Sequence, residues 1–256
     1  MHLRSLLPVA LVILTAACSA AAPSAPPTAE PTSSAAPTST AAPAGFATPE
    51  DAVTAYLTGV ANADVDAILA TAAVDEAAEN FDFEAQADRL RVLTLIGNPG
   101  PAEYPFYADI NRAWFSSRLL GQTQALSYSL LSPGEIGPAP VPVDEGDAGA
   151  FVDQVDPAGL AGLEVVEVKP PLASLENDPD ARANALEVAA IYGATDDVQR
   201  VALVKLGESH FVVGFELLKY GDSWKVITQT SSLAGMPGTG VAQPTTPEEF
   251  ESQTSQ

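Results

Sequence analysis

The chain has 256 residues, with 33 acidic and 11 basic side chains and a formal net charge of −22. Phosphate groups are bound by clustered lysines and arginines, so this charge disfavours nucleic acids and anionic lipid headgroups as partners. Cys18 is the single cysteine, which excludes an internal disulfide, and the length suffices for one domain with its own hydrophobic core.

Residues 1–17 predict a signal peptide. Arg4 supplies a positive charge near the start, residues 6–14 form an apolar run, and small residues follow at positions 15–17. A membrane-spanning helix needs roughly 20 apolar residues, and this run is shorter. The segment is therefore interpreted as a leader that directs export and is then removed.

The string Leu14-Thr15-Ala16-Ala17-Cys18 resembles the bacterial lipobox, in which small residues precede a lipid-modified cysteine. The resemblance implies that Cys18 takes a diacylglyceryl group and becomes the new N-terminus. It implies a membrane-anchored protein on the extracytoplasmic side, at a cell surface or in a periplasm. Thr15 stands where Leu is most common, and the alternative is an ordinary secretory signal with an unmodified cysteine.

Residues 18–45 predict a disordered linker. From residue 19 to 45 the chain is almost wholly Ala, Pro, Ser and Thr, and Glu30 is the one charged side chain. Such a composition lacks the large apolar side chains that a packed core requires. As an extended polyproline stalk, at about 3.1 Å per residue, it could hold a folded domain up to ~80 Å from a membrane.

A helical hairpin is predicted to open the folded domain. Thr48 has the properties of an N-cap, Pro49 suits the first helical position, and two acidic residues follow. A break around Asp64 separates this helix from a second one. Apolar residues at helical spacing give each helix one buried face: Val53, Tyr56, Leu57 and Val60, then Val65, Ile68, Leu69 and Ala72.

The rest of the chain predicts more helices and then an antiparallel sheet. Short glycine-containing links between the last three strand-like runs indicate a meander. Beyond them, residues 235–256 are rich in Pro, Thr, Gln and Glu and are predicted to be a disordered tail. The predicted helices are 83–95, 105–131, 147–155 and 178–192, and the predicted strands are 163–169, 198–206, 211–220 and 224–231.

Three segments of the domain resemble the NTF2-like superfamily. They are Thr48-Pro49-Glu50-Asp51-Ala52-Val53 with Tyr56, Ala63-Asp64-Val65-Asp66-Ala67, and Tyr220-Gly221-Asp222-Ser223-Trp224-Lys225-Val226. The resemblance implies an α+β domain, over residues 46–234, in which a helical hairpin packs on a curved antiparallel sheet to form a cone with a pocket. Residues 81–156 are longer and more helical than in simple members, which predicts a filled or capped cone.

The sequence predicts no metal, no cofactor and no catalytic residue. His210 is the one histidine that follows the leader, so a site built on several histidines is excluded. The acidic run Asp144-Glu145-Gly146-Asp147 lacks the ligand spacing of a calcium loop. Nucleophile elbows and nucleotide-binding glycine motifs are also missing, although NTF2-like enzymes carry their functional residues without a linear motif.

Aromatic residues of the helix 105–131 are the candidate ligand site. Tyr107, Trp114 and Phe115, with Asp109 at the rim, could line a pocket or groove. The alternative is that the aromatic side chains pack in the core against the sheet.

These features favour a lipid-anchored extracytoplasmic binding or interaction domain, whose partner is an envelope protein or a small ligand. One alternative is an NTF2-like isomerase or cyclase acting on a small apolar ligand, and another is a structural cell-envelope protein. Buried ionisable side chains converging on an open pocket would favour catalysis. A plugged, apolar interior would favour binding and is the predicted case.

Overall fold

The computed structural model describes residues 45–94, 96–132, 144, 147–236 and 238–256. The leader, Cys18 and all but the last residue of the linker lie outside the described residues. The fold class is α+β, as predicted: helices pack on a curved antiparallel sheet. No helix within the described ranges is long and apolar enough to cross a membrane.

The helical hairpin begins where the sequence predicts it. Helix α1 is Pro49–Ala61, and the hydroxyl of Thr48 accepts a hydrogen bond from the backbone N–H of Asp51 at 3.1 Å. Helix α2 is Val65–Ala70, capped by the side chain of Asp64. The cap residues therefore predicted the first residue of both helices correctly.

The remaining elements follow the predicted order up to the last predicted strand, with two differences in the helices, and an unpredicted strand and helix follow at 243–245 and 247–254. A short helix at 74–80 was not predicted, and the helix predicted for 83–95 ends at Leu90 because Arg91 has a left-handed backbone, with φ at 55°. The elements are α3 Val74–Asn80, α4 Phe83–Leu90, α5 Pro105–Leu131, α6 Asp147–Gln154, β1 Glu164–Lys169, α7 Pro179–Ile191, β2 Asp196–Leu206, β3 Ser209–Tyr220, β4 Ser223–Thr228, β5 Gln243–Thr245 and α8 Pro247–Thr254.

The sheet has the order β1-β2-β3-β4, with all neighbours antiparallel. β4 pairs with the C-terminal half of β3, while β5 pairs with its N-terminal end. Gly207 and Gly221 both have φ at 59° in the β2–β3 and β3–β4 turns, a conformation that glycine adopts without strain. The predicted meander is confirmed.

The inner face of the sheet, which faces α1, is filled with packed side chains. Phe211, Val213, Phe215 and Leu217 of β3 belong to the same core cluster as residues of α1 and α5. The hydroxyl of Tyr56, a fully buried side chain of α1, donates a hydrogen bond to Gln229 at 2.9 Å. The described space between α1 and the sheet is thus filled.

The prediction of a disordered tail at 235–256 was wrong. Phe250 of α8 is 1% exposed and packs with residues of β2 and β3. Thr246 and Glu249 form a reciprocal capping box that starts this helix. The folded unit therefore continues past residue 234, because Phe250, the buried Ala242 and the pairing of β5 with β3 hold an otherwise polar segment on the sheet.

Candidate functional site

Two acidic side chains share the outer face of the sheet, which is the face opposite α1. In the β2–β3 register, Asp197 is opposite Leu218 and Gln199 is opposite Glu216. Asp197 and Glu216 are therefore diagonal neighbours on the same face. They form what we call the carboxyl pair.

Apolar clusters lie on both sides of the carboxyl pair. Phe115, Leu218 and Ile227 form one cluster, with Tyr192 packed against it. Val201, Leu203, Val212, Met236 and Phe250 form the other. The segment 231–236 runs close over the sheet, since a Cβ on Gly214 would lie 2.6 Å from the backbone nitrogen of Ser231. The carboxyl pair thus occupies a polar strip between two apolar regions.

This environment changes the acidity of the groups around the pair. Burial, followed by the charges of Glu216 and Asp196, raises the pKa of Asp197 to about 8, with Arg182 acting in the opposite direction. Burial also raises the pKa of Glu216, and Arg118 opposes that shift. Burial, with the charge of Glu216, raises the pKa of Tyr192 to about 12. Asp197 consequently keeps a proton near neutral pH.

Asp197 also holds a buried oxygen that has no hydrogen-bond partner. The residue is 6% exposed, and its Oδ1 makes no hydrogen bond. Its backbone is well held, because its N–H donates to Asp196 at 2.8 Å and its carbonyl accepts from Arg182 at 3.2 Å. An unpartnered buried polar group destabilises a fold by about 1–3 kcal/mol, so such a group in a native protein calls for an explanation. Among the described residues, Oε2 of Glu76 is the other side-chain oxygen of this kind.

Asp197 lines a cleft at the edge of the sheet, which we call the sheet-edge cleft. It lies between the segment 170–176, α7, the start of β2 and the loop at 232–233, and its volume is about 330 Å³. Its apolar wall consists of Pro170, Pro171, Leu172, Leu175, Val198 and Leu233. Its polar side chains include Glu176, Arg182, Asn184, Asp197, Gln199 and Arg200.

Both arginines of the cleft have acidic partners. The Arg200 side chain is 9% exposed and pairs with Glu50 at 2.5 Å and Glu176 at 3.0 Å. Arg182 pairs with Asp196 at 2.5 Å. These pairs also tie α1, α7 and the 173–176 turn to β2, so the polar side of the cleft is fixed in place.

The four residues predicted as a ligand site lie elsewhere. Phe115 is buried in the apolar cluster beside the carboxyl pair, and Trp114 is half-buried with its ring 5.0 Å from that of Phe115. Tyr107 is 40% exposed, and Asp109 is an exposed partner of Arg112 at 2.8 Å. None of the four lines the sheet-edge cleft. A groove along α5 stays a prediction.

No three potential metal ligands come together among the residues that the structure describes. His210 is half-buried on β3, opposite Lys205 and Thr245 in the strand registers. Asp144 and Asp147 are described, whereas residues 145 and 146 of the same acidic run lie outside the described residues.

Sequence reasoning missed both members of the carboxyl pair. The signal for Glu216 was its position as the one charged residue in the strand segment 211–218, where apolar residues at both alternating positions indicate burial on both faces. Asp197 directly follows Asp196 at the start of a strand and looks like a solvated turn. Their proximity depends on strand register, which the sequence pattern alone does not fix.

No protein-family model matches the chain, and no curated protein matches it. A solved crystal structure, described as a cystatin-like protein from Ruminococcus gnavus ATCC 29149, is 20% identical with a TM-score of 0.47. The alignment covers 76% of this chain and 44% of that one, so this chain spans less than half of its neighbour's length. The NTF2-like resemblance stays a prediction.

Proposed function

We propose that this protein is an exported binding domain that takes a small ligand in the sheet-edge cleft. It is held on the extracytoplasmic side of a membrane by a lipid on Cys18. One observation carries the ligand proposal: a cleft of about 330 Å³ has an apolar wall and, in its polar side, Asp197 with an unpartnered buried oxygen. Ligand sites combine apolar walls with a few convergent polar groups in this way.

Binding explains the cleft better than a purely structural role. A scaffold would gain stability by replacing Asp197 with a residue that leaves no polar atom unpartnered. The rest of the polar side is well satisfied, since Gln199 accepts hydrogen bonds from Ser231 and Leu233 and donates one to Ser232. Asp197 therefore keeps an unpartnered oxygen beside a cleft in which Gln199 and the two arginines are hydrogen-bonded.

Acid–base catalysis is the second candidate, and one observation favours it. Asp197 and Glu216 are neighbouring carboxyl groups with raised pKa values, and a general acid or base works best with a pKa near the operating pH. However, Glu216 is outside the cleft wall, so the two members of the carboxyl pair do not line the cleft together. If a bound ligand were converted to a product, the protein would be an enzyme rather than a binding domain.

The anchor is tested by replacing the cysteine. We expect the wild-type protein in the membrane fraction, and the Cys18→Ala protein without lipid and released from the membrane. Intact-mass measurement of both proteins shows whether a lipid was added. Wild-type protein that carries no lipid would contradict the anchor.

The cleft is tested by obstructing it. Leu233→Trp places a larger side chain in the cleft wall, whereas Leu186→Trp changes an exposed residue of α7 that is outside the wall. Saturation-transfer NMR with a mixture of hexylammonium, hexanol and hexanoate should show contacts with the wild type and the Leu186 variant. The Leu233 variant should lose them, and equal contacts in both variants would contradict the proposed site.

A further inference from the structure

We propose that an exposed apolar surface, formed by α4, the turn that follows it and the start of α5, docks the folded domain onto a zwitterionic lipid bilayer. This inference rests on the proposed anchor, which keeps the domain near a membrane, and goes beyond it by naming the surface that touches the lipid. We call this surface the α4–α5 face. Its exposed members are Leu90, Val92, Leu93, Ile96, Tyr104, Phe106, Tyr107 and Ile110.

Exposed apolar side chains are concentrated in this short part of the chain. Among the described residues, eight of the thirteen large hydrophobic side chains that are exposed lie between positions 90 and 110. Ile96 is 90% exposed, Phe106 is 70% exposed and Leu93 is 65% exposed. Single apolar residues are common on protein surfaces, whereas a contiguous patch marks a contact with another molecule or with a membrane.

Helix α4 supplies the first part of the α4–α5 face. It has no buried side chain, and Phe83, Ala87 and Leu90 share one side of it at the spacing i, i+4 and i+7. Leu90 and Val92 border a small depression together with Pro99. An amphipathic helix that contributes no side chain to the core is suited to lie in the interface of a bilayer.

The turn after α4 joins this helix to the aromatic residues at the start of α5. Asn111 accepts a hydrogen bond from the N–H of Gly100 at 2.7 Å and donates one to its carbonyl at 2.9 Å. A Cβ on Gly100 would lie 3.1 Å from the ring of Tyr107. That ring is 5.4 Å from the ring of Phe106 and 6.2 Å from that of Tyr104. The two halves of the α4–α5 face therefore adjoin.

The charge of this region disfavours a second copy of the chain as the partner. The whole chain has 33 acidic and 11 basic side chains, whereas residues 83–112 have four acidic and three basic ones. A second copy would bring another net charge of −22 close to the first, and an anionic surface would be repelled in the same way. A zwitterionic bilayer has no net charge, so it does not repel the chain.

The shape and composition of the face favour a bilayer over a protein partner. A protein partner would need pockets that match the protruding side chains of Ile96 and Phe106, whereas a bilayer accepts apolar side chains without such pockets. Tyrosines are common at the level of the headgroups, because the ring is apolar and the hydroxyl is polar. Tyr104 and Tyr107 suit that level.

The proposed lipid on Cys18 makes a weak contact sufficient. A domain tethered to a bilayer is held at a high effective concentration beside it, so the α4–α5 face does not need to attach the chain by itself. Docking then sets the orientation of the domain on the membrane.

Quenching of an introduced tryptophan by brominated lipid tests the contact. The full chain is purified from the membranes of a producing bacterium and reconstituted into phosphatidylcholine vesicles, with or without bromine on the acyl chains. Phe106→Trp places a reporter in the α4–α5 face. After the wild-type signal of Trp114 and Trp224 is subtracted, the added emission should fall about twofold or more with brominated lipid, because the side chain enters the acyl region.

Val152 provides a matched control position. It is 67% exposed on α6, and its neighbour Phe151 packs on Tyr128, with 5.3 Å between the rings. Tyr128 is about 33 Å along α5 from Phe106 at 1.5 Å per residue, so Val152→Trp should not be quenched. Ile96→Asp, added to Phe106→Trp, should abolish the quenching, whereas Val152→Asp should leave it. Thermal unfolding of each variant confirms that it is folded.

The failures are distinguishable. If the wild type does not float with the vesicles, the anchor and the docking both fail. If it floats but Phe106→Trp is not quenched, the docking is wrong and the anchor stands. Equal quenching of Phe106→Trp and Val152→Trp also overturns the docking. A blue-shifted emission of Phe106→Trp without quenching, together with a dimer in sedimentation, would assign the face to a second copy and overturn it too.

Discussion

Asp197 and Glu216 lie diagonally across the β2–β3 ladder on one face of the sheet, and one carboxyl oxygen of Asp197 has no hydrogen-bond partner. Adjacent acidic groups in a buried place destabilise each other's charged forms. The arrangement therefore lowers the stability of the folded chain at the position where the cleft opens. Such a loss is tolerated at a functional site.

The stability loss at Asp197 should depend on pH. Its pKa is about 8 in the folded chain and about 3.9 in an unfolded one. Between these values the folded state binds more protons, so the free energy of unfolding contributed by this group falls as pH rises and is constant above the folded pKa. Asp197→Asn should match the wild type near pH 4 and exceed it by at least ~1 kcal/mol near pH 8, since each unit of pKa difference is worth about 1.4 kcal/mol.

Thermal unfolding of both proteins across this pH range measures the difference. For a domain of this size, 1 kcal/mol corresponds to a rise of about 2–4 °C in Tm. Asp180→Asn, at an exposed site, controls for the general effect of removing one negative charge. A wild-type-to-variant difference that stays the same at every pH would contradict the raised pKa.

The C-terminal helix should be needed for stability. Phe250 is 1% exposed against β2 and β3, whereas Phe106 of α5 is 70% exposed. Phe250→Ala should reduce the free energy of unfolding by about 3–5 kcal/mol, the usual range for a buried Phe. Phe106→Ala should change it little. Denaturant unfolding of both variants measures the effect, and equal stability would contradict the packed C-terminal helix.

Two glycines should respond in opposite directions to the same substitution. A Cβ on Gly214 would lie 2.6 Å from the Ser231 nitrogen and 2.7 Å from the Met236 sulfur, so Gly214→Ala should push the 231–236 segment off the sheet and cost about 1–3 kcal/mol. Gly121 in α5 has open space around it, so Gly121→Ala should stabilise the helix by about 0.5–1 kcal/mol. Chemical denaturation reports both, and a stabilising Gly214→Ala would refute the close approach.

Arg200 should contribute more to the stability of the folded chain than Arg112, although each arginine makes several ion pairs. The Arg200 side chain is 9% exposed, and the Arg112 side chain is 36% exposed with partners that are each more than 60% exposed. Arg200→Gln leaves Glu50 and Glu176 without their shared partner and should cost about 2 kcal/mol or more. Arg112→Gln should have a small effect that high salt removes. If both variants lost a similar amount of stability at high salt, this ranking would be contradicted.

Helix starts and the strand meander were predictable because they depend on local residues. Thr48 and Asp64 cap α1 and α2 as their positions indicated. The same reasoning could have found α8, since Thr246-Pro247-Glu248-Glu249 repeats the pattern of Thr48-Pro49-Glu50-Asp51. The polar composition of the tail outweighed that signal, although Phe250 and Ala242 are buried and β5 pairs with β3.

The cleft was not predictable, because it depends on contacts between distant segments. Asp197 is buried by α7 and by its strand neighbours, and Arg200 meets Glu50 across 150 positions of the chain. α3 was missed for a local reason, since no side chain caps its start at Ala73. The aromatic residues of α5 were noticed for their type, but their orientation about the helix separates the buried Phe115 from the exposed Tyr107.

The central claim is that Asp197 is a buried carboxyl group that keeps its proton near neutral pH at the wall of the sheet-edge cleft. Carbon-13 NMR of the Asp197 carboxyl, assigned by its absence in Asp197→Asn, measures its titration directly. We expect a midpoint near pH 8. A midpoint near 4, the value of an ordinary aspartate, would contradict the account.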